Sequence, residues 1–248
     1  MTLELLSGFF IRILPGMVLA VSMLILIPRR LVLLRIFIYI MIFIFIRDAM
    51  TPAGLWSFGT ESFFWIRFVQ DPVTIILFGL SSIGFVFLMN RIDPACGDLI
   101  MWINGSRINA LFTGAAGAVL VVLPLFLFYI NTDISFRGGT VPYSMIPALF
   151  LVAFGGNFYE ETLFRGYIQG YLEKKESIGR IKAAVISGVM FAFCHIFLAS
   201  TVTSIGYPIL IFALYEGIIA AFVRMKYGMI PAAITHGGAI FLLAGGFF

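Results

Sequence analysis

The chain has 248 residues, of which 61% are hydrophobic and only 11% charged, and its mean hydropathy is +1.08. A soluble domain carries about 25% charged residues, so a fold dissolved in water is excluded and the bilayer must solvate most of the surface. The net charge of +4 does not point to nucleic acid, because Lys and Arg are spread over short connections between apolar runs, as membrane-orientation signals are.

A spanning helix needs about 20 apolar residues. Taken in chain order, the sequence predicts spans at 6–28, 31–47, 72–90, 109–130, 145–172, 182–200, 205–223 and 229–247. The expected fold is therefore an all-α polytopic transmembrane bundle of about eight helices. Long apolar runs without alternation argue against a transmembrane barrel. The first segment has no basic region before it and no small-residue cleavage site before Arg29 and Arg30, so it is expected to stay as a spanning helix. Residues 1–140 form the first part of one membrane domain, and 141–248 the second.

Between the second and third spans, segment 48–71 contains Trp56, Phe63, Phe64 and Trp65 and is expected at the membrane interface, where such rings prefer to sit. Segment 91–108 reads as a loop or short surface helix, and 131–144, with Gly138-Gly139 and Pro142, as a loop. Arg12 and Arg35 fall within apolar runs and are expected to snorkel to an interface. Cationic connections after the odd-numbered spans (Arg29 and Arg30; Arg91 and Arg107; Lys174, Lys175 and Arg180; Arg224 and Lys226) outweigh those after the even-numbered ones, which offer Arg47, Arg67 and Arg137. This bias predicts that even-numbered helices start in the cytoplasm. The two cysteines, Cys96 and Cys194, have neither metal nor redox spacing.

Charged residues deep in a span are costly and usually functional. The fifth span holds Tyr159-Glu160-Glu161-Thr162-Leu163-Phe164-Arg165. Glu161 and Arg165, at i and i+4, can share a helix face and pair. Glu160 is rotated by about 100° and would point elsewhere, with no local cation to hold its charge. A carboxylate in that situation can act as a base. The chain's two histidines, His195 and His236, also lie inside apolar spans. Counting from Lys174 and Lys182 puts Glu160 and His195 at about 21 Å and 20 Å of helix rise, level in the membrane. His236 is about 15 Å past Lys226, close enough to join them if helices tilt or break. Glu216, in Tyr215-Glu216-Gly217, is another deep carboxylate, a candidate supporting group. Small residues such as Gly155, Gly156, Gly188, Gly217, Gly237 and Gly238 would permit close helix approach.

Glu160-Glu161-x-x-x-Arg165, followed by Gly166, then Phe191-x-x-x-His195, then Tyr227-Gly228-Met229-Ile230-Pro231 before His236, resembles the motif series of the CAAX-protease and bacteriocin-processing family of intramembrane peptidases. The resemblance covers about residues 150–240 and makes 141–248 the catalytic helices. It implies an intramembrane endopeptidase that cuts a membrane-associated or lipidated peptide. Glu160 and His195 would activate water, His236 would stabilise the oxyanion, and Glu161 and Arg165 would be a supporting pair. It also implies a multi-pass protein of the cell (inner) membrane whose partners are the bilayer and a membrane-associated peptide or protein. The family usually carries Asn four residues after its last histidine, and here that position is Ile240. Asn157, one turn before Glu160, is the candidate replacement donor. No cofactor is favoured. Zinc is the alternative, since two histidines and a glutamate form a common catalytic set, although no His-Glu-x-x-His helix is present. A non-catalytic scaffold and a transporter relaying protons through Glu160, Glu216 and the histidines are the competing functions.

Overall fold

The computed structural model describes residues 2–59 and 64–247. Among the described residues the helices are α1 (Thr2–Leu26), α2 (Val32–Met50), α3 (Pro72–Ile92), the single turn α4 (Pro94–Gly97), α5 (Arg107–Tyr129), α6 (Ile146–Glu161), α7 (Gln169–Lys174), α8 (Arg180–Cys194), α9 (Pro208–Tyr227) and α10 (Met229–Gly245). A π-helical stretch, Thr162–Ile168, joins α6 to α7, and a second, Leu198–Val202, follows α8. Each expected span thus has a helical counterpart, the fifth being α6, the π stretch and α7 in succession.

By length and composition, five of the described helices are long and apolar enough to cross a membrane: Leu3–Leu26, α3, α5, Arg180–Val202 and α9. α10 is apolar but shorter, at 17 residues, while α2 and α6 carry buried charges. Large apolar side chains such as Phe10, Leu26, Phe112, Phe128 and Phe193 face outward. Water would reject such a surface and acyl chains accept it, so the chain is an integral membrane protein.

Local chemistry sets the helix starts. α3 begins where the Asp71 carboxylate accepts from the Val73 and Thr74 N–H groups at 3.2 and 3.3 Å, with Pro72 as first residue. At α10, Gly228 has φ +100°, and a Cβ there would meet the Trp102 carbonyl oxygen at 2.7 Å. That close approach lets residues 101–102 supply carbonyls to the Met229 and Ile230 N–H groups, at 2.7 and 3.0 Å, which satisfies donors a helix start leaves open. α3 crosses α6 at Gly79 and Gly155, where a side chain on Gly155 would collide with the Gly79 carbonyl. α10 packs against α5, α6 and α9, which brings His236 into the middle of the bundle.

Four expectations are corrected. Segment 48–71 forms an antiparallel hairpin, β1 (Trp56–Phe58) paired with β2 (Ile66–Phe68). Trp56 and Phe64 turn into the protein rather than lie along an interface, because the hairpin lets alternate side chains cover one apolar space; Phe63 lies outside the described residues. Arg35 does not snorkel. It is 2% exposed and forms a two-point pair with Asp93 at 2.7 and 2.9 Å, while its remaining terminal nitrogen donates to the Leu24 and Ile27 carbonyls. Arg224 belongs to α9, fully buried against Glu173 at 2.6 Å, and is not a free connection charge. Arg47 likewise lies inside α2, because that helix continues to Met50. Arg12 is exposed, as a snorkelling side chain requires.

Candidate active site

Three buried carboxylates, Glu160, Glu161 and Glu216, meet two buried guanidiniums, Arg47 and Arg165, and both histidines. Each reaches the centre for a local reason. Glu160 and Glu161 are the last residues of α6, and the chain then enters the π-helical stretch that contains Arg165. Such single-turn bulges recur at functional sites, where they re-aim neighbouring side chains. His195 is the C-cap of α8. Its ring turns back so that Nδ1 lies 2.7 Å from the Phe191 carbonyl oxygen. A carbonyl can only accept, so Nδ1 carries a proton and Nε2 is the atom presented to the site.

Glu160 Oε2 lies 3.3 Å from His195 Nε2. Its other oxygen, Oε1, accepts from Arg47 Nη2 at 2.5 Å. The sequence offers Glu160 no local cation, and the structure supplies a distant one from α2, 113 residues earlier. Sequence spacing along one helix cannot reveal a partner on another.

Glu161 makes the expected i,i+4 pair with Arg165 at 2.9 Å, and the same oxygen receives His236 Nδ1 at 2.9 Å. Arg165 also donates to the Gly217 carbonyl at 2.8 Å, which ties the π stretch to α9. Glu216 Oε2 is 3.7 Å from His236 Nε2, and Glu216 Oε1 and Glu161 Oε2 have no hydrogen-bond partner among the described residues. Phe191 occupies the middle. Its ring centroid is 4.2 Å from that of His195 and 5.3 Å from that of His236, and the Arg165 guanidinium lies 4.3 Å above it. Sequence reasoning used Phe191 only as a motif letter; its place one turn before His195 was the available signal.

These groups face a pocket of about 640 Å³, open mouth included, into which Arg47, Asn157, Glu160, His195, Glu216 and His236 project. The hairpin supplies much of the opposite wall through Trp56, Phe58, Ile66 and Phe68, so the site is not enclosed by the last four helices alone. Ile240 also lines it and offers no donor. Asn157 reaches the pocket, but its Nδ2 donates to the Ala153 carbonyl at 2.6 Å, leaving one amide hydrogen uncommitted. Among the described residues no group of three or more His, Cys, Asp or Glu side chains is arranged to hold a metal ion. The two imidazoles flank Phe191, with His195 beside Glu160 and His236 beside Glu161 and Glu216.

A polytopic helical membrane protein with ionisable side chains gathered in a pocket between its spans is the class that fold and geometry define. Residues 142–242 are similar to the family described as type II CAAX prenyl endopeptidase Rce1-like, a likeness that supports a CAAX-type intramembrane protease at family level. The match takes in Glu160, Glu161, Arg165, His195, Glu216 and His236 and leaves out Arg47 and the hairpin. No curated protein and no solved structure matches the chain.

Proposed function

We propose that the chain is an endopeptidase that hydrolyses a membrane-associated or lipidated peptide within the bilayer, using water activated by Glu160 and His195. The observation that carries this is the 3.3 Å approach of Glu160 Oε2 to His195 Nε2 at the wall of a pocket. With Nδ1–H committed to the Phe191 carbonyl, a neutral His195 presents a lone pair at Nε2. Two acceptors then face each other, and a water donating to both satisfies them while its own lone pairs point into the pocket.

In the reaction Glu160 takes a proton from that water as its oxygen bonds to the peptide carbonyl carbon. The carbonyl oxygen becomes an oxyanion, which His236 receives from Nε2. To donate there while Nδ1–H stays on Glu161, the His236 ring must carry both protons. Glu161 and Arg165 hold that ring in place. The C–N bond then breaks, and Glu160 returns its proton to the leaving amine. A preorganised donor of the His236 kind contributes about 2.7–4 kcal/mol of transition-state stabilisation. The apolar pocket wall formed by the hairpin rings suits a substrate with apolar residues near the cut.

The test compares the termini of membrane peptides in cells making the protein with those in cells making Glu160→Gln. It is paired with cleavage of an internally quenched peptide ending in S-farnesyl-Cys-aliphatic-aliphatic-residue, in vesicles holding either protein. New termini that vanish in the variant are expected. Equal cleavage by both proteins would overturn the reading, and proton-coupled flux lost without any cut product would reassign the site to transport. Zinc present stoichiometrically in active protein, and lost together with activity, would replace the metal-free chemistry.

A further inference from the structure

We infer that Arg47 is a positioning residue of the hydrolytic site, acting through Glu160; the inference rests on the peptidase reading above. A carboxylate at the end of α6 has rotational freedom, and only one of its oxygens can serve the water beside His195. Arg47 removes that freedom. Its Nη2 holds Oε1 at 2.5 Å, which leaves Oε2 as the oxygen turned to His195 at 3.3 Å.

The guanidinium is itself fixed. Arg47 is 6% exposed as a residue, and its guanidinium packs 5.7 Å from the Trp56 ring centroid and 5.9 Å from that of Phe43 and lies 3.5 Å from Met50 Sδ. Gly156, one turn before Glu160, leaves the room it needs, since a Cβ there would sit 3.0 Å from Nη2. Structural pairing alone would not require this ion pair to face a pocket, yet Arg47 and Glu160 both line it beside His195. The fixed aromatic stack also links the hairpin to the site: movement of Trp56 would reach Glu160 through Arg47.

Arg47 lies outside the matched stretch 142–242, so α2 supplies a working part of a site whose other charged members come from α6 onward. The pairing has a chemical consequence for replacement. Lys can restore the charge but not the planar fork that keeps one nitrogen on Oε1, so it should recover part of the function and not all of it.

The experiment uses the full chain in vesicles with the farnesylated quenched peptide. Variants Arg47→Gln, Arg47→Lys, Glu160→Gln and the Arg47→Gln/Glu160→Gln double are measured for kcat, KM and thermal unfolding. Displacing a reacting group by roughly an ångström costs about 10²-fold in rate. Arg47→Gln is expected to lower kcat by about that factor with KM unchanged, and Arg47→Lys to recover part of it. In unfolding, the double variant is expected to lose less than the summed losses of the singles, as a direct pair requires. Unchanged kcat in Arg47→Gln, or a raised KM alone, overturns the inference. So do additive unfolding losses, whatever the activity. Cleavage lost in Glu160→Gln but kept in Arg47→Gln leaves the peptidase reading standing without Arg47. Cleavage kept in Glu160→Gln removes the peptidase reading itself, and the positioning role falls with it.

Discussion

Two of the buried charge clusters among the described residues are built differently. Near the ends of α1, α2 and α3, Arg35 meets Asp93 through two nitrogens, donates its third to two carbonyls of α1's end, and shares Asp93 with the Tyr39 hydroxyl. In the cluster around Glu160, the carboxylate oxygens Glu161 Oε2 and Glu216 Oε1 are buried with no hydrogen-bond partner among the described residues, and Glu216 lines a pocket together with Glu160 and both histidines. Burial of charge inside a membrane is costly in both places. In the first the cost is offset by complete pairing, which fixes three helices together. In the second it is only partly offset, and buried polar groups left in that condition call for another explanation, of which chemistry is the strongest. Unsatisfied capacity facing a pocket, and not burial of charge as such, separates the working cluster from the clamp.

The sharpest way to break that comparison is to damage each cluster and read both activity and stability. His195→Ala removes the imidazole that shares the reacting water, and kcat should fall about 10³-fold, with little change in thermal unfolding. Asp93→Ala should do the reverse. Removing one partner of a buried pair destabilises by about 3–5 kcal/mol, while molecules that remain folded should cleave with the original kcat. If Asp93→Ala lowered kcat in folded protein, or His195→Ala unfolded it, the division between clamp and site would fail.

How legible was this arrangement from sequence? The spans were, because apolar length is a local property: the boundaries of α3, α5 and α10 fall within a few residues of those expected. The Glu161–Arg165 pair was also legible, since helical periodicity puts positions i and i+4 together. Arg47 was not. It looked like a connection charge because α2 runs three residues past the expected span end at 47, and its partner lies 113 residues away. Arg35 misled for the same reason, with Asp93 58 residues distant. The hairpin was hidden because three-residue strands carry almost no periodic signal. The break of α8 at His195 was hidden too, since no Gly or Pro marks it.

Smaller effects sharpen the picture at the oxyanion side. Ile240 lines the pocket one turn beyond His236 and cannot donate. Ile240→Asn adds an amide there, and a gain in kcat of roughly tenfold is expected, well below the 10²–10³ that a fully aligned donor is worth. A fall in kcat, in protein of unchanged thermal stability, would mean that the pocket already stabilises the oxyanion fully or that Ile240 serves as a substrate contact.

The smallest expected change is at Asn157. The residue lines the same pocket, but its Nδ2 is held 2.6 Å from the Ala153 carbonyl one turn back on α6. One amide hydrogen is thereby spent, and the other can reach a developing oxyanion only along the direction this hydrogen bond leaves open. A donor so constrained cannot supply the full effect of an aligned one. Asn157→Ala should therefore cost several-fold in kcat, less than the about 10²-fold of a committed donor, with KM unchanged. The informative variant combines it with Ile240→Asn. If the two side chains serve the same oxygen, the new amide at 240 should restore what the loss at 157 removes, and the combined effect should be less than additive. Unchanged turnover in Asn157→Ala would reject any part for Asn157 and leave His236 to receive the charge without its help.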